Sequence, residues 1–154
     1  MKKISLLLLV VVMIACKNDD QKMTPEQYLT AATNGWIYQS ILVTLPGTST
    51  QIDILTNPQV AGQIPACELD DSTLFTSDGK YSVANNTKCD PTEDSTVDSG
   101  TWVLSSDKAT LTLTSATSTT DPPLVFTKFS VDGTNLKGIA DFDGLAATIT
   151  FKHK

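Results

Sequence analysis

The sequence predicts an all-β domain, a small antiparallel up-and-down barrel of about eight strands preceded by a short N-terminal helix. Three observations carry this expectation. From Trp36 to Phe151 the chain is a succession of short runs rich in Val, Ile, Thr, Phe and Tyr. Turn signals separate the runs, among them Asp78-Gly79, Asp132-Gly133 and Asp143-Gly144. Several runs alternate apolar and polar residues, as strands do when one face meets a core and the other meets water. Hairpin-linked neighbours pair in order, and a meander of this size loses its exposed edges by closing on itself. An open sandwich of two sheets is the other arrangement these strands allow.

Ahead of the strands, Met1-Lys2-Lys3 and the uncharged run from Ile4 to Ala15 have the charge pattern of a secretion signal. That run is too short to span a bilayer as a helix. It ends Met13-Ile14-Ala15-Cys16, which resembles the lipobox after which a cysteine is acylated, with Met13 standing where Leu, Val or Ile is usual. The expected organisation is a lipoprotein signal peptide over 1–15, a lipidated tether over 16–23 beginning at Cys16, and one barrel domain over 24–154. A soluble secreted protein with Cys16 merely near the cleavage point is the alternative. Lys17-Asn18-Asp19-Asp20 resembles the sorting signal that sends lipoproteins of Bacteroidota-type bacteria to the outer leaflet. The expected location is the outer membrane, lipid-anchored, at the cell surface or periplasmic face. Acidic residues beside the anchor are repelled by an anionic surface, so the lipid, carrying palmitate-type chains, is the membrane contact.

Removing residues 1–15 takes two of the 11 Lys+Arg and none of the 17 Asp+Glu, leaving nine cations against 17 carboxylates, a net −8. The chain contains no Arg. A nucleic-acid surface, which needs clustered cations, is therefore not expected. The roughly 140 remaining residues, of a chain that is 40% apolar overall, suit one core. Cys67 and Cys89 remain after the anchor, in a compartment where disulfides persist. One bridge between them is the simplest account, since the Asp78-Gly79 turn lies midway and would bring its flanks together; two free thiols are the alternative.

Along the domain, Thr24-Pro25-Glu26-Gln27 supplies an N-cap, a Pro at the first helical position and a Gln that completes a capping box, so Thr24 to Ala32 is a short helix. It is expected at the mouth or base of the barrel. Trp36 to Leu45 is the first strand. Residues 46–66 hold Pro46, Gly47, Pro58, Gly62 and Pro65 around the apolar patch Ile52 to Leu55 and form a long loop, with room for one irregular strand. Leu69 to Thr76 and Lys80 to Ala84 flank an Asp-Gly hairpin turn, with Tyr81 and Val83 on one face. The polar stretch from Asn85 to Ser99 is a loop. Gly100 to Leu104 and Ala109 to Ser115 come next, the latter with Ala109, Leu111 and Leu113 alternating against threonines. The last strands are Leu124 to Val131, Leu136 to Phe142 and Leu145 to Lys152.

The order Cys67-Glu68-Leu69-Asp70-Asp71, Phe75, Asp78-Gly79-Lys80-Tyr81, Cys89-Asp90-Pro91 and Gly100-Thr101-Trp102 resembles the lipocalin-like domain of Bacteroidota lipoproteins, over roughly residues 34–152. The resemblance implies a small antiparallel barrel and names no substrate. Gly35-Trp36 lacks the spacer of the Gly-x-Trp that opens carrier lipocalins, and the better match falls at Gly100 to Trp102.

No catalytic residues and no cofactor are expected. His153 is the only His, and Asp70 and Asp71, if both on a strand, point to opposite faces. The acidic run from Asp90 to Asp98 offers oxygen ligands for Ca²⁺ without the pattern of an EF-hand loop, so a solvated loop and no metal is the reading. Asp71-Ser72-Thr73 and Asp94-Ser95-Thr96 resemble O-glycosylation acceptors of the same bacteria. The aromatic residues lie on strands, and Trp36, Tyr81, Trp102, Phe142 and Phe151 are the candidate lining of an apolar ligand cavity, unless they simply fill the core. Small residues at Ala109, Gly138, Ala140, Ala146 and Ala147 leave room for a cavity. Without Arg to clamp a carboxylate, the ligand is expected to be a small hydrophobic molecule, neutral or weakly charged. The expected role is a non-catalytic binding module for such a molecule; the alternative is a cell-envelope interaction protein that meets a protein or glycan through its loops while its barrel is filled.

Overall fold

A computed structural model describes residues 22–57, 64–118, 120–142 and 144–154, with Phe142 described by its backbone alone. The leader, Cys16 and the tether up to residue 21 lie outside the described residues.

Helix α1 spans Pro25–Ala31, and its first turn closes as the sequence dictates. Thr24 Oγ1 accepts from the Gln27 amide at 3.3 Å while Gln27 Oε1 accepts from the Thr24 amide at 2.8 Å. This reciprocal pair satisfies two amides that the helix cannot. Leu29 is fully buried, and its carbonyl accepts from Trp36 Nε1 at 3.1 Å, which ties the helix to the start of the sheet.

Nine strands are found among the described residues: β1 Trp36–Thr44, β2 Gln51–Asp53, β3 Ser72–Phe75, β4 Lys80–Ala84, β5 Thr96–Leu104, β6 Leu111–Ser115, β7 Leu124–Val131, β8 Asn135–Phe142 and β9 Leu145–His153. A second short helix, α2, covers Ala66–Leu69. All pairings are antiparallel and run in chain order from β3 to β9, and β1 joins both β9 and β3. The barrel of eight strands is thus closed, with β2 outside the circle. A barrel of this size is just wide enough to be filled by side chains or to hold one small ligand.

The two flanks of β1 differ. Towards β9 the ladder runs from Trp36 opposite His153 to Val43 opposite Ala147. Towards β3 only Trp36 and Thr73 pair. Further along, β2 takes that edge, from Leu42 opposite Asp53 to Thr44 opposite Gln51. Between them the edge is bridged by the Asp53 side chain, whose Oδ1 accepts from the Ile41 amide at 3.1 Å, and by Ile54 N donating to Ile41 O at 3.0 Å. The barrel wall therefore has a seam between β1 and β3.

Helix α1 lies at the base, where β1 starts and β9 ends. Lys108, in the β5–β6 turn, pairs with Glu26 of the helix. The opposite end carries the β6–β7 loop and is the mouth.

Three β-bulges break the alternation. On β1 the register shifts between Tyr38 and Ser40, so Trp36 and Tyr38 point inward and, beyond the extra residue Gln39, Ile41 and Val43 do. Val97 is the extra residue on β5. On β7 the shift lies between Thr127 and Ser130, where Lys128 adopts φ 49°, and both Phe126 and Phe129 are buried as a result. A bulge keeps two inward faces on one strand where a strict period of two would turn one of them out.

Several boundaries depart from the sequence expectation. The strand expected to begin at Leu69 begins at Ser72, because Ala66–Leu69 winds into α2 and Asp70 turns outward to accept from the Thr87 amide and hydroxyl. The expected loop over Asn85 to Ser99 ends early, since β5 starts at Thr96. Its polar residues pair through their backbones with β4, down to Ala84 opposite Thr96. Ala109 is exposed ahead of β6, and Ala146 is exposed on β9, so of the five small residues only Gly138, Ala140 and Ala147 face the interior.

The disulfide is as expected: Cys67 and Cys89 are bonded, with Cα atoms 5.4 Å apart. It joins α2 to the segment after β4. The Asp78-Gly79 turn forms with Gly79 at φ 80°, a conformation that glycine adopts without penalty.

Candidate functional site

The barrel interior holds a cavity of about 490 Å³, open at the mouth. That volume is within the range of about 300–1,000 Å³ usual for small-molecule sites. Its deep part is apolar. Trp36, Leu111, Leu136 and Phe151 line it towards the base, and Tyr38 and Phe126 wall it above. The rings hold one another: Tyr38 stacks on Phe151 with centroids 4.7 Å apart, and Phe126 meets Phe151 edge-on at 6.1 Å. Such pairing fixes the rings as walls rather than letting them collapse into the space.

Its upper part is polar. Asp98 points inward from β5 and collects three hydroxyls. Tyr81 donates to its Oδ2 at 2.6 Å, while Ser115 and Thr117 each donate to Oδ1 at 2.6 Å. The Ser99 amide adds a fourth bond at 2.8 Å. Burial pushes the Asp98 carboxyl up, but the bonds from Ser115, Thr117, Tyr81 and Ser99 outweigh it and hold the group below the usual carboxylate range. Conversely, burial together with the bond to Asp98 pushes the Tyr81 phenol up. The pair is thus fixed as phenol and carboxylate at neutral pH. Asp121 and Asp141 stand nearer the mouth, and no Lys or His lines this cavity among the described residues.

Gly100 is what lets Tyr81 cross the interior. A Cβ there would lie 2.0 Å from the Thr114 carbonyl oxygen and 2.9 Å from the Tyr81 ring, so only glycine fits between β6 and that ring.

A second cavity of about 450 Å³ opens at the seam. Tyr38, Thr73, Val83 and Val97 line both spaces. The seam cavity adds the disulfide cysteines, Glu68, Asp71 and Glu93. Asp71 Oδ1 is buried without a hydrogen-bond partner among the described residues. Burial pushes the Asp71 carboxyl up, and the negative charges of Asp70, Glu68 and Glu93 add to this against the Asn86 amide bond. Burial, and then the Asp71 charge, raises the Tyr38 phenol as well.

Of the residues expected from the sequence to line a ligand cavity, Trp36, Tyr81 and Phe151 do so. Trp102 does not. It is buried near the base, edge-on to Phe75 at 6.0 Å, with Nε1 donating to Thr76 O at 3.1 Å, and so serves as core for the β3–β4 hairpin. The side chain of Phe142 lies outside the described residues. Asp98 and Asp71 are not signalled by the sequence, because inward polar residues contradict the binary pattern. A weak signal does exist, since Asp98, Gly100 and Trp102 share one parity on β5. Ser72, in the first glycosylation-like triplet, is buried, whereas Asp94-Ser95-Thr96 is exposed. His153 packs edge-on against Trp36 at the base, away from both cavities.

A closed antiparallel barrel of eight strands, plugged at one end by a helix and hollow at the other, defines the class of small β-barrel binding modules. Within that class the chain belongs to the lipocalin-like domain family, whose model matches residues 50–138. The matched span runs from just before β2 into β8 and includes Asp71, Tyr81 and Asp98. Among solved structures, a DUF4847 family protein from Bacteroides vulgatus is similar over 83% of this chain and 96% of its own, with a TM-score of 0.51 and 15% identity. That likeness shows the fold. No curated protein matches.

Proposed function

We propose that the protein is a non-catalytic binding module, anchored in the outer membrane through a lipid on Cys16, whose barrel holds one small molecule with an apolar body. The observation that carries this reading is the cavity of about 490 Å³, open at the mouth and walled by packed aromatic and aliphatic side chains. Native interiors close-pack, so a space of this size kept open by interlocked rings favours an occupant over a filled core. Leu45, Leu124, Leu145 and Val97, all near the mouth, are exposed large apolar residues, which suits the passage of an apolar molecule. The phenol–carboxylate pair of Tyr81 and Asp98 is held by four hydrogen bonds, which favours a fixed binding surface over a reacting group.

The experiment is a titration of the protein with fatty acids, sterols and isoprenoids, followed by Trp fluorescence and by melting temperature, which a ligand of the folded state raises. A saturable signal with at least one of these or a related amphiphile is expected; none with any of them removes the binding-module reading. Mass spectrometry of protein extracted from the membrane is expected to show diacylglyceryl-type lipid on Cys16 as the first residue, and an unmodified Cys16 refutes the anchor.

A further inference from the structure

We propose that the interior and seam cavities form one elongated site whose ligand is a cationic amphiphile, with its apolar body in the barrel and a protonated amine at Asp71. The inference rests on the binding-module reading and adds the charge and placement of the ligand.

The two cavities adjoin. Four residues, Tyr38, Thr73, Val83 and Val97, line both spaces, so the two lie against the same side chains where β1 and β3 part. The seam exists because those strands share a single residue pair, and the bulge at Gln39 turns the β1 wall at the same level.

Both cavities are also negative. Their lining contributes Asp98, Asp121 and Asp141 on one side and Glu68, Asp71 and Glu93 on the other, with no Lys or His among the described residues. A carboxylate ligand would enter this field with nothing to pair with and would be repelled. An ammonium group would be attracted, and in a partly desolvated space that preference is stronger than in water.

Asp71 is singled out by its hydrogen bonds. Asp98 is already saturated by three hydroxyls and an amide. Asp71 Oδ1 is buried and lacks any donor among the described residues. Leaving such an acceptor unpaired is costly, and a donor brought by the ligand removes that cost. Tyr38 sits beside it, facing both cavities, and its ring offers a face for an ammonium while the aromatic and aliphatic wall beyond accepts a chain.

The test compares decylammonium, decanol and decanoate binding to the purified protein at physiological ionic strength, read by Trp fluorescence and calorimetry. One equivalent of decylammonium is expected to bind about tenfold or more tighter than decanol, with decanoate weakest, the gain of one charged hydrogen bond. Asp71→Asn is expected to lose about that tenfold for the amine and distinctly less for decanol, with a cooperative urea transition showing that the variant is folded. Equal binding of the three probes, or a preference for decanol or decanoate, overturns the proposal and leaves the binding-module reading intact. An amine preference that survives Asp71→Asn overturns the placement at Asp71. If no probe binds in a saturable way, the proposal falls, and the titration with fatty acids, sterols and isoprenoids decides the binding-module reading separately. Should Asp71→Asn not fold, the wild-type comparison still decides the charge preference, and Tyr38→Leu, which removes the ring face offered to the ammonium, tests the location by a larger loss of affinity for the amine than for decanol.

Discussion

β1 is held on one side by a continuous ladder to β9 and on the other by a single pair to β3, with β2 and the Asp53 carboxylate covering the rest. The firm flank is built from side chains whose pattern repeats, with Ala147, Ile149 and Phe151 buried in alternation opposite Val43, Ile41 and Tyr38. The seam is built from individual devices: a disulfide, a turn of helix and a carboxylate. Regular pattern makes the wall, and irregular chemistry makes the opening.

The comparison can be broken most severely at Trp36, where the two flanks meet. Trp36→Ala removes a fully buried side chain and the tie to helix α1, and is expected to cost about 3–5 kcal/mol, read as a lower urea midpoint. A loss below about 1 kcal/mol would mean that the base is not held as described.

Breaking only the seam takes less. Replacing both Cys67 and Cys89 with Ser opens a closed loop with a sequence separation of 22, and is expected to cost about 3 kcal/mol on the chain-entropy account. Hydrogen exchange sharpens the contrast: amides of β3 and α2 should lose protection more than those of β8 and β9. Uniform loss across the barrel would dissolve the distinction between the flanks.

Acid separates the two inward carboxylates. Asp98 is held below the usual range, so its contribution is complete above that range and is lost as the pH falls through its lowered folded value. Asp71 is raised, so the fold carries a penalty at neutral pH that is relieved as the pH falls through the raised value. Urea midpoints of Asp71→Asn should therefore exceed wild type at neutral pH, with the gain fading on acidification. Asp98→Asn should fall below wild type at neutral pH, with the deficit closing only at lower pH. Differences that do not change with pH refute both assignments.

The smallest effect belongs to the base. Lys108→Ala removes an exposed ion pair with Glu26 and should cost less than about 1 kcal/mol, decreasing with added salt. A larger loss in thermal unfolding would show that the helix plug depends on this contact.

The same division governs how much of the molecule is legible in its sequence. The capping box at Thr24, the Asp78-Gly79 and Asp132-Gly133 turns, the alternation of β6 and β9 and the cysteine pair are legible because each is a local signal. The bulges at Gln39, Val97 and Lys128 are not, since their cause is a barrel that must curve and keep its core faces inward. Thr96 to Ser99 has the composition of a loop, and only the neighbouring strands make it β5. Trp102 is expected as lining because an aromatic on a strand is equally fit for core, and what decides is depth. Asp98 and Asp71 are hidden for the opposite reason, because they are polar where the pattern asks for apolar residues.

Closing the barrel through β1 and β9 has a consequence for how the chain reaches this state. Trp36 pairs with His153, and Lys154 N donates to Gly35 O at 3.1 Å, so the firmest ladder joins residues far apart in sequence. Loop closure on that scale must precede any gain from the contacts it makes, which places the protein among slow-folding β topologies. A chain emerging from N- to C-terminus exposes the apolar edge of β1 until β9 arrives, so the interval between the two is when it is most open to aggregation or to chaperones. The ends of β1 and β9 also sit side by side at the base. Joining the end of β9 to the start of helix α1 by a linker and opening the chain in the exposed turn over residues 46–50 would leave only the linker and the helix between the two pairing strands and shorten the longest closure.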